Sequence, residues 1–153
     1  MRWAASSRLT HDPVDLLGKL HEQIIGHTAG GFATALAAFF SDNGLITLVN
    51  AGHLSPYLDG NEIELSGALP LGIDGGGRYE AKKAELQPGS RLTFLSDGVV
   101  EAQNERGELF GFERAKAISR EPAATIAEAA VRFGQADDIT VVTIERQARS
   151  LSQ

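Results

Sequence analysis

Residues 32–51 read FATALAAFFSDNGLITLVNA. Two apolar runs flank Ser41-Asp42-Asn43-Gly44, and Asn-Gly is the dipeptide that tight hairpin turns favour. Alanine at 33, 35, 37 and 38 would suit a helix, but the turn and the β-branched second run (Ile46, Thr47, Val49) favour two antiparallel strands. The same sign recurs downstream. Asp59-Gly60-Asn61 separates Tyr57-Leu58 from residues 62–65, Pro88-Gly89 follows a strand over 79–86, and Arg91 to Ser96 reads as a buried strand ending at Asp97-Gly98. A last strand is expected over 139–145. Residues 66–77 are glycine-rich and read as loop.

Helices are expected near both ends. Asp12 can cap a first helix, Pro13 suits its first turn, Leu16, Leu17, Leu20, Ile24 and Ile25 repeat at helical spacing, and Gly26 stops it. Short helices follow at 112–118 and 122–133, the latter with Ile126, Ala129, Ala130 and Phe133 on one face. Hairpins with helices at the ends, rather than alternating strand and helix, make an α+β fold on antiparallel sheet.

Composition narrows the function. The chain has 153 residues, enough for one domain with a real core. A net charge of −6 opposes nucleic-acid binding, and Lys82-Lys83 is too small a basic patch to reverse that. No cysteine is present, which excludes thiolate sites and fits a reducing, cytoplasmic location. No apolar run is long enough to span a bilayer. Phosphate-binding loops of the nucleotide-binding kinds, a nucleophile-elbow serine and a His-Glu-x-x-His zinc helix are all lacking.

Two acidic sites stand at strand ends. Asp97 leaves one apolar strand, and Asp137-Asp138 enters another. Carboxylates are the donors that hard divalent cations prefer, and a strand end holds them rigidly while open to water. If the two strands are antiparallel neighbours, Asp97 meets one acid of the pair. Alternation of side chains lets only one of Asp137 and Asp138 do so. The plainer alternative is an Asp-Gly turn and a helix-to-strand connector.

The order of short motifs resembles the stage II sporulation E-like branch of the PPM (metal-dependent) protein serine/threonine phosphatases. The matching runs are residues 32–36 (FATAL), 51–56 (AGHLSP), 70–73 (PLGI), 86–90 (LQPGS), 96–102 (SDGVVEA), 107–111 (GELFG) and 135–140 (QADDIT). The resemblance extends from about Asp12 to Glu145. It implies a sandwich of two antiparallel sheets flanked by helices in αββα layers. It also implies hydrolysis of phosphoserine or phosphothreonine by water activated between two Mn²⁺ or Mg²⁺ ions. Asp97 and Asp137 match two ligands of one metal. Gly98 permits the sharp turn after Asp97, and Asp138 has a supporting role. The family's N-terminal Gly-Asp and Asp-x-x-Gly-x-Gly segments have no counterpart here, so the fold is expected to be N-terminally incomplete. This chain would then hold ligands for one ion and hydrolyse poorly.

The expected organisation is a remnant or linker at 1–11, a partial phosphatase domain at 12–146 and a polar tail at 147–153. The expected partner is a phosphorylated regulatory protein, in this branch often an anti-sigma-factor antagonist in partner switching. The alternative is a non-catalytic module of the same fold that binds a regulatory partner. An open sheet edge, with Phe32, Leu36 and Phe40 uncovered, would favour dimerisation. His53 in Gly-His-x-x-Pro is expected to be structural, His11, His21 and His27 to lie at the surface, and Trp3 to pack.

Overall fold

The computed structural model describes residues 12–25, 27, 31–135 and 137–147. The expected segment at 1–11, with His11 and Trp3, and nearly all of the expected tail lie outside them.

Helix α1 (Pro13–Ile24) starts where its cap predicts, with the Asp12 carboxylate accepting the Val14 N–H at 2.9 Å. Strands β1 (Ala35–Phe40) and β2 (Leu45–Ala51) form the expected hairpin, with Ala35 opposite Ala51 and Phe40 opposite Ile46. Strands β3 (Tyr57–Leu58) and β4 (Asn61–Glu62) form the second, turned by Asp59 and Gly60 at positive φ of 49° and 82°. Positive φ at both central residues is the primed turn that strand twist demands, and Asp-Gly tolerates it. Then come β5 (Ala81–Glu85), β6 (Arg91–Leu95), the single turn α2 (Asp97–Val100), α3 (Gly111–Ile118), α4 (Ala123–Gly134) and β7 (Val141–Glu145).

Two antiparallel sheets result, ordered β1-β2-β5 and β4-β3-β6-β7. Side-chain alternation assigns their faces. On β2, Ile46 and Leu48 join Leu86 and Leu92 in a fully apolar layer between the sheets. Val49 and Ala51 join Leu17, Leu71 and Tyr79 in a second layer beneath α1. On the other sheet, Tyr57 and Leu95 meet Val99, Ala115, Ile126 and Ala130 of the helices in a third. Three apolar layers separate four structural ones, which is the expected αββα sandwich. Thr93, fully buried on the helix-facing side, donates its hydroxyl to the Ser119 carbonyl at 2.7 Å, so its polar atom is satisfied.

Strands β1, β5 and β7 begin two or three residues later than the sequence suggests, and the structure departs from the sequence reading more substantially in three places. The strand expected at 62–65 ends at Glu62, although Ile63 and Leu65 still turn into the inter-sheet core. Past Asp97 the chain makes a helical turn, because Val99 and Val100 are drawn into the helix-side core. His21 is buried, 6% exposed, instead of at the surface. It stands one turn after Leu17 on the inward stripe of α1, and its ring fills a notch left by Gly76 and Gly77. Its Nδ1 accepts the Gly72 N–H at 3.3 Å and lies 3.3 Å from the Tyr79 hydroxyl, whose pKa burial pushes up. Among the described residues, no helix is long and apolar enough to cross a membrane.

Candidate functional site

β6 and β7 are antiparallel neighbours, with Leu95 opposite Val141 and Arg91 opposite Glu145. The exit of β6 therefore adjoins the entry of β7, which puts Asp97 on the loop beside Asp137 and Asp138. Ser96 staples the two loops. Its N–H donates to the Thr140 carbonyl at 2.9 Å and its hydroxyl to the Asp138 carbonyl at 3.3 Å, while that hydroxyl accepts the Thr140 N–H at 2.9 Å. No role for Ser96 was expected from the sequence. Its one available sign is a hydroxyl directly before Asp-Gly at the end of an apolar strand.

Gly98 sets the spacing. A Cβ there would stand 3.0 Å from the Asp138 carbonyl carbon and closer still to its oxygen. Only a residue without a side chain lets the first turn of α2 rest on the Asp137–Asp138 backbone. Gly98 is therefore needed for close approach, whereas the sequence reading gave it the freedom of a turn; it is absent from the positive-φ glycines. Gly134, at the C-terminal end of α4, brings the other side in the same way, its carbonyl accepting the Gln103 N–H.

Both acids are exposed and anchored through Oδ1. Asp97 Oδ1 accepts the Gly98 N–H at 3.0 Å, and Asp137 Oδ1 accepts the Asp138 N–H at 2.7 Å. Gln135 reaches over to donate to the Asp137 carbonyl at 3.0 Å. The Asp138 side chain is exposed, and its backbone carbonyl is the group that receives Ser96 and seats Gly98. Two hard oxygen donors on rigid loops suit a divalent cation such as Mn²⁺ or Mg²⁺ in kind. They do not complete a site: among the described residues, no group of three or more His, Cys, Asp or Glu side chains could hold a metal.

His53 lines a cleft together with Ser96 and Thr140. Asn50 brackets its backbone, accepting the His53 N–H at 2.8 Å and donating to its carbonyl at 2.9 Å, and its ring Nδ1 lies 3.1 Å from the Thr34 hydroxyl. Thr34, His53, Ser96 and Thr140 are the polar residues lining a 550 Å³ cleft, whose apolar lining includes Phe40, Phe94, Val142 and Ile144. The cleft lies between the sheets and runs from β1 to the Ser96 staple.

The fold recurs in known proteins. The RsbU and RsbW domains of Rv1364c from Mycobacterium tuberculosis are similar with a TM-score of 0.69 and 21% identity, over 94% of this chain and 44% of that one. The SiaA-PP2C domain of Pseudomonas aeruginosa gives a TM-score of 0.70 and 25% identity, over 88% and 61%. The phosphatase domain of the cell fate determinant SpoIIE from Bacillus subtilis gives 0.61 and 17%, over 98% and 78%. The chain thus spans less than two thirds of the first two of these chains. Among curated protein sequences it matches none. The sequence profile of stage II sporulation protein E (SpoIIE) matches residues 2–147, nearly the whole chain, and the chain belongs to that family.

Proposed function

We propose that this chain forms part of a metal-dependent phosphatase that hydrolyses phosphoserine or phosphothreonine on a regulatory protein. One observation carries the reading: Gly98 rests on the Asp138 carbonyl, which joins the Asp97 loop to the Asp137–Asp138 loop. Asp97 and Asp137 would hold a Mn²⁺ or Mg²⁺ ion from one side, with Gly98 and Asp138 fixing their separation. Such an ion would supply charge for the phosphoryl oxygens and a more acidic bound water. Support comes from the family membership and from the Bacillus subtilis phosphatase domain, whose structure is of a Mn-presoaked form. The neighbouring RsbU and SiaA domains support a place in partner switching, with a phosphorylated anti-sigma-factor antagonist as the class of substrate.

The protein's own residues do the positioning. Ser96 and Gly98 lock the two loops together, and the backbone N–H groups of Gly98 and Asp138 hold one oxygen of each carboxylate. With two donors and no third among the described residues, the chain alone would bind metal weakly and turn over slowly. That incomplete donor set also favours a second reading, a non-catalytic module of the same fold that binds a regulatory partner.

Release of phosphate from a phosphoserine protein separates the two. The catalytic reading expects release that needs Mn²⁺ and is abolished by Asp97→Asn. The binding-module reading expects none under any metal. Release that survives both a chelator and Asp97→Asn would defeat both.

A further inference from the structure

Between α2 and α3 the chain makes a tightly bonded excursion. Gln103 pairs with Leu109 as an antiparallel bridge, and the Phe110 N–H donates to the Ala102 carbonyl at 2.7 Å. At the tip the Asn104 carboxamide oxygen accepts the Arg106 and Glu108 N–H groups, each at 3.0 Å, and the Gln103 side chain donates to the Gly107 carbonyl at 2.9 Å. Arg114 closes the base. It donates to the Leu109 and Phe110 carbonyls at 2.8 and 3.0 Å, and its guanidinium lies 4.9 Å from the centre of the Phe133 ring, which Phe110 meets edge-on. The Gln103 N–H, bonded to the Gly134 carbonyl, fastens the excursion to the end of α4, shortly before Asp137.

This fixed backbone turns two large apolar side chains to solvent. Leu109 is 52% exposed and Phe112 57%, on either side of the buried Phe110. The surrounding residues are acidic. Glu101, Glu105, Glu108 and Glu113 are all exposed, and Arg106 is the only cation from 101 to 113. Exposed apolar side chains within a polar rim mark interaction sites, and a rim of one sign selects a partner of the other.

We propose that Leu109 and Phe112 anchor a segment of a partner protein in which a large apolar side chain is flanked by lysine or arginine. The apolar side chain covers Leu109 and Phe112, and the cations meet the glutamates. Arg114 does not oppose them, because its guanidinium is engaged by two carbonyls and a ring. The inference stands apart from the catalytic reading, since a binding module needs such a surface as much as a phosphatase does. Two side chains cover far less than the ~800 Å² per partner of a standard interface, so a short segment is expected to bind with a dissociation constant on the order of 0.1–1 mM.

The probe is a fluorescein-labelled synthetic peptide with a central leucine flanked by arginines, titrated with the full chain in metal-free, low-salt buffer and read by fluorescence anisotropy. A matched peptide with glutamates in place of the arginines should bind at least about tenfold more weakly. Phe112→Ser and Leu109→Ser should each weaken the arginine peptide by about fivefold or more, and Val131→Ser, exposed on α4, should leave it unchanged. Glu105→Lys combined with Glu113→Lys should narrow the gap between the two peptides. All of these side chains are exposed, so the variants should keep the far-ultraviolet circular dichroism of the wild type. Equal affinity for the two peptides overturns the proposal. So does binding of the arginine peptide that both serine variants leave intact, or no binding at roughly 1 mM chain. Self-association of the chain that Phe112→Ser abolishes in sedimentation equilibrium would make a second copy the occupant, and would overturn it too.

Discussion

Gly98→Ala is the perturbation that the geometry of the two acidic loops makes most specific. The new methyl carbon would lie 3.0 Å from the Asp138 carbonyl carbon and closer to its oxygen. Carbon–oxygen contacts settle at roughly 3.3–3.6 Å, so the loops must part by about 1 Å. Neither side can yield cheaply. Val99 and Val100 are buried in the helix-side core, and the Asp138 carbonyl is held by Ser96. Overpacking of this kind costs about 1–3 kcal/mol, or roughly 2–12 °C in melting temperature for a chain of this size. Thermal unfolding followed by circular dichroism measures it. Gly18→Ala is the internal control, because a Cβ there meets nothing within 4 Å inside helix α1. It should stabilise by about 0.5–1 kcal/mol through helix propensity. If Gly98→Ala melts with the wild type while Gly18→Ala behaves as expected, the close approach of the two loops is wrong.

Three further outcomes follow from other contacts. His21→Ala should destabilise by about 2–4 kcal/mol in urea unfolding, because it empties the Gly76–Gly77 notch and strands the half-buried Gly72 N–H. An unchanged midpoint would mean that α1 does not dock through this ring. Asp59 accepts the Arg91 N–H at 2.9 Å, and that backbone bond holds its carboxyl below the usual carboxylate range. A depressed folded pKa stabilises above the unfolded value and loses that contribution as pH falls through the folded one. Asp59→Asn should therefore cost less than about 1 kcal/mol at neutral pH, because solvent screens this largely open carboxylate, and progressively less below about pH 4, read from paired urea titrations. A pH-independent difference would contradict it. Ser96→Ala removes both hydroxyl bonds of the staple and should cost about 1–2 kcal/mol, whereas Ser55→Ala, whose side chain makes no hydrogen bond among the described residues, should fall within about 0.5 kcal/mol of wild type.

Much of the fold was legible in the sequence because its local signals agree with its tertiary ones. The Asn-Gly and Asp-Gly turns fix both hairpins, and on β2 Ile46 and Leu48 share the face toward the other sheet while Val49 and Ala51 share the face toward α1. Asp12 and Pro13 place the start of α1 to the residue. The errors arise where packing overrides local character. His21 reads as polar, yet its position four residues after Leu17 binds it to the buried stripe, and the notch that receives it lies more than fifty residues away. α2 was hidden by the turn signature of Asp-Gly, which the burial of Val99 and Val100 outweighs.

The candidate site was legible in outline. Apolar strands that end and begin in acids imply neighbouring loops when the strands pair, and β6 and β7 do pair. Its fine structure was not. The Ser96 bonds cross 42 and 44 residues of sequence, and no local pattern marks them. The close contact at Gly98 depends on the separation of two loops, and composition does not report it. The choice between Asp137 and Asp138 depends on side-chain directions at the entry of β7, where regular alternation has not yet begun.

Titration with Mn²⁺, followed calorimetrically or by the spin-resonance signal of the free ion, tests the central claim most directly. The account predicts one weakly held ion, with a dissociation constant on the order of 1 mM, and loss of binding in both Asp97→Asn and Asp137→Asn. Tight binding of two ions, or binding that neither substitution disturbs, would contradict it.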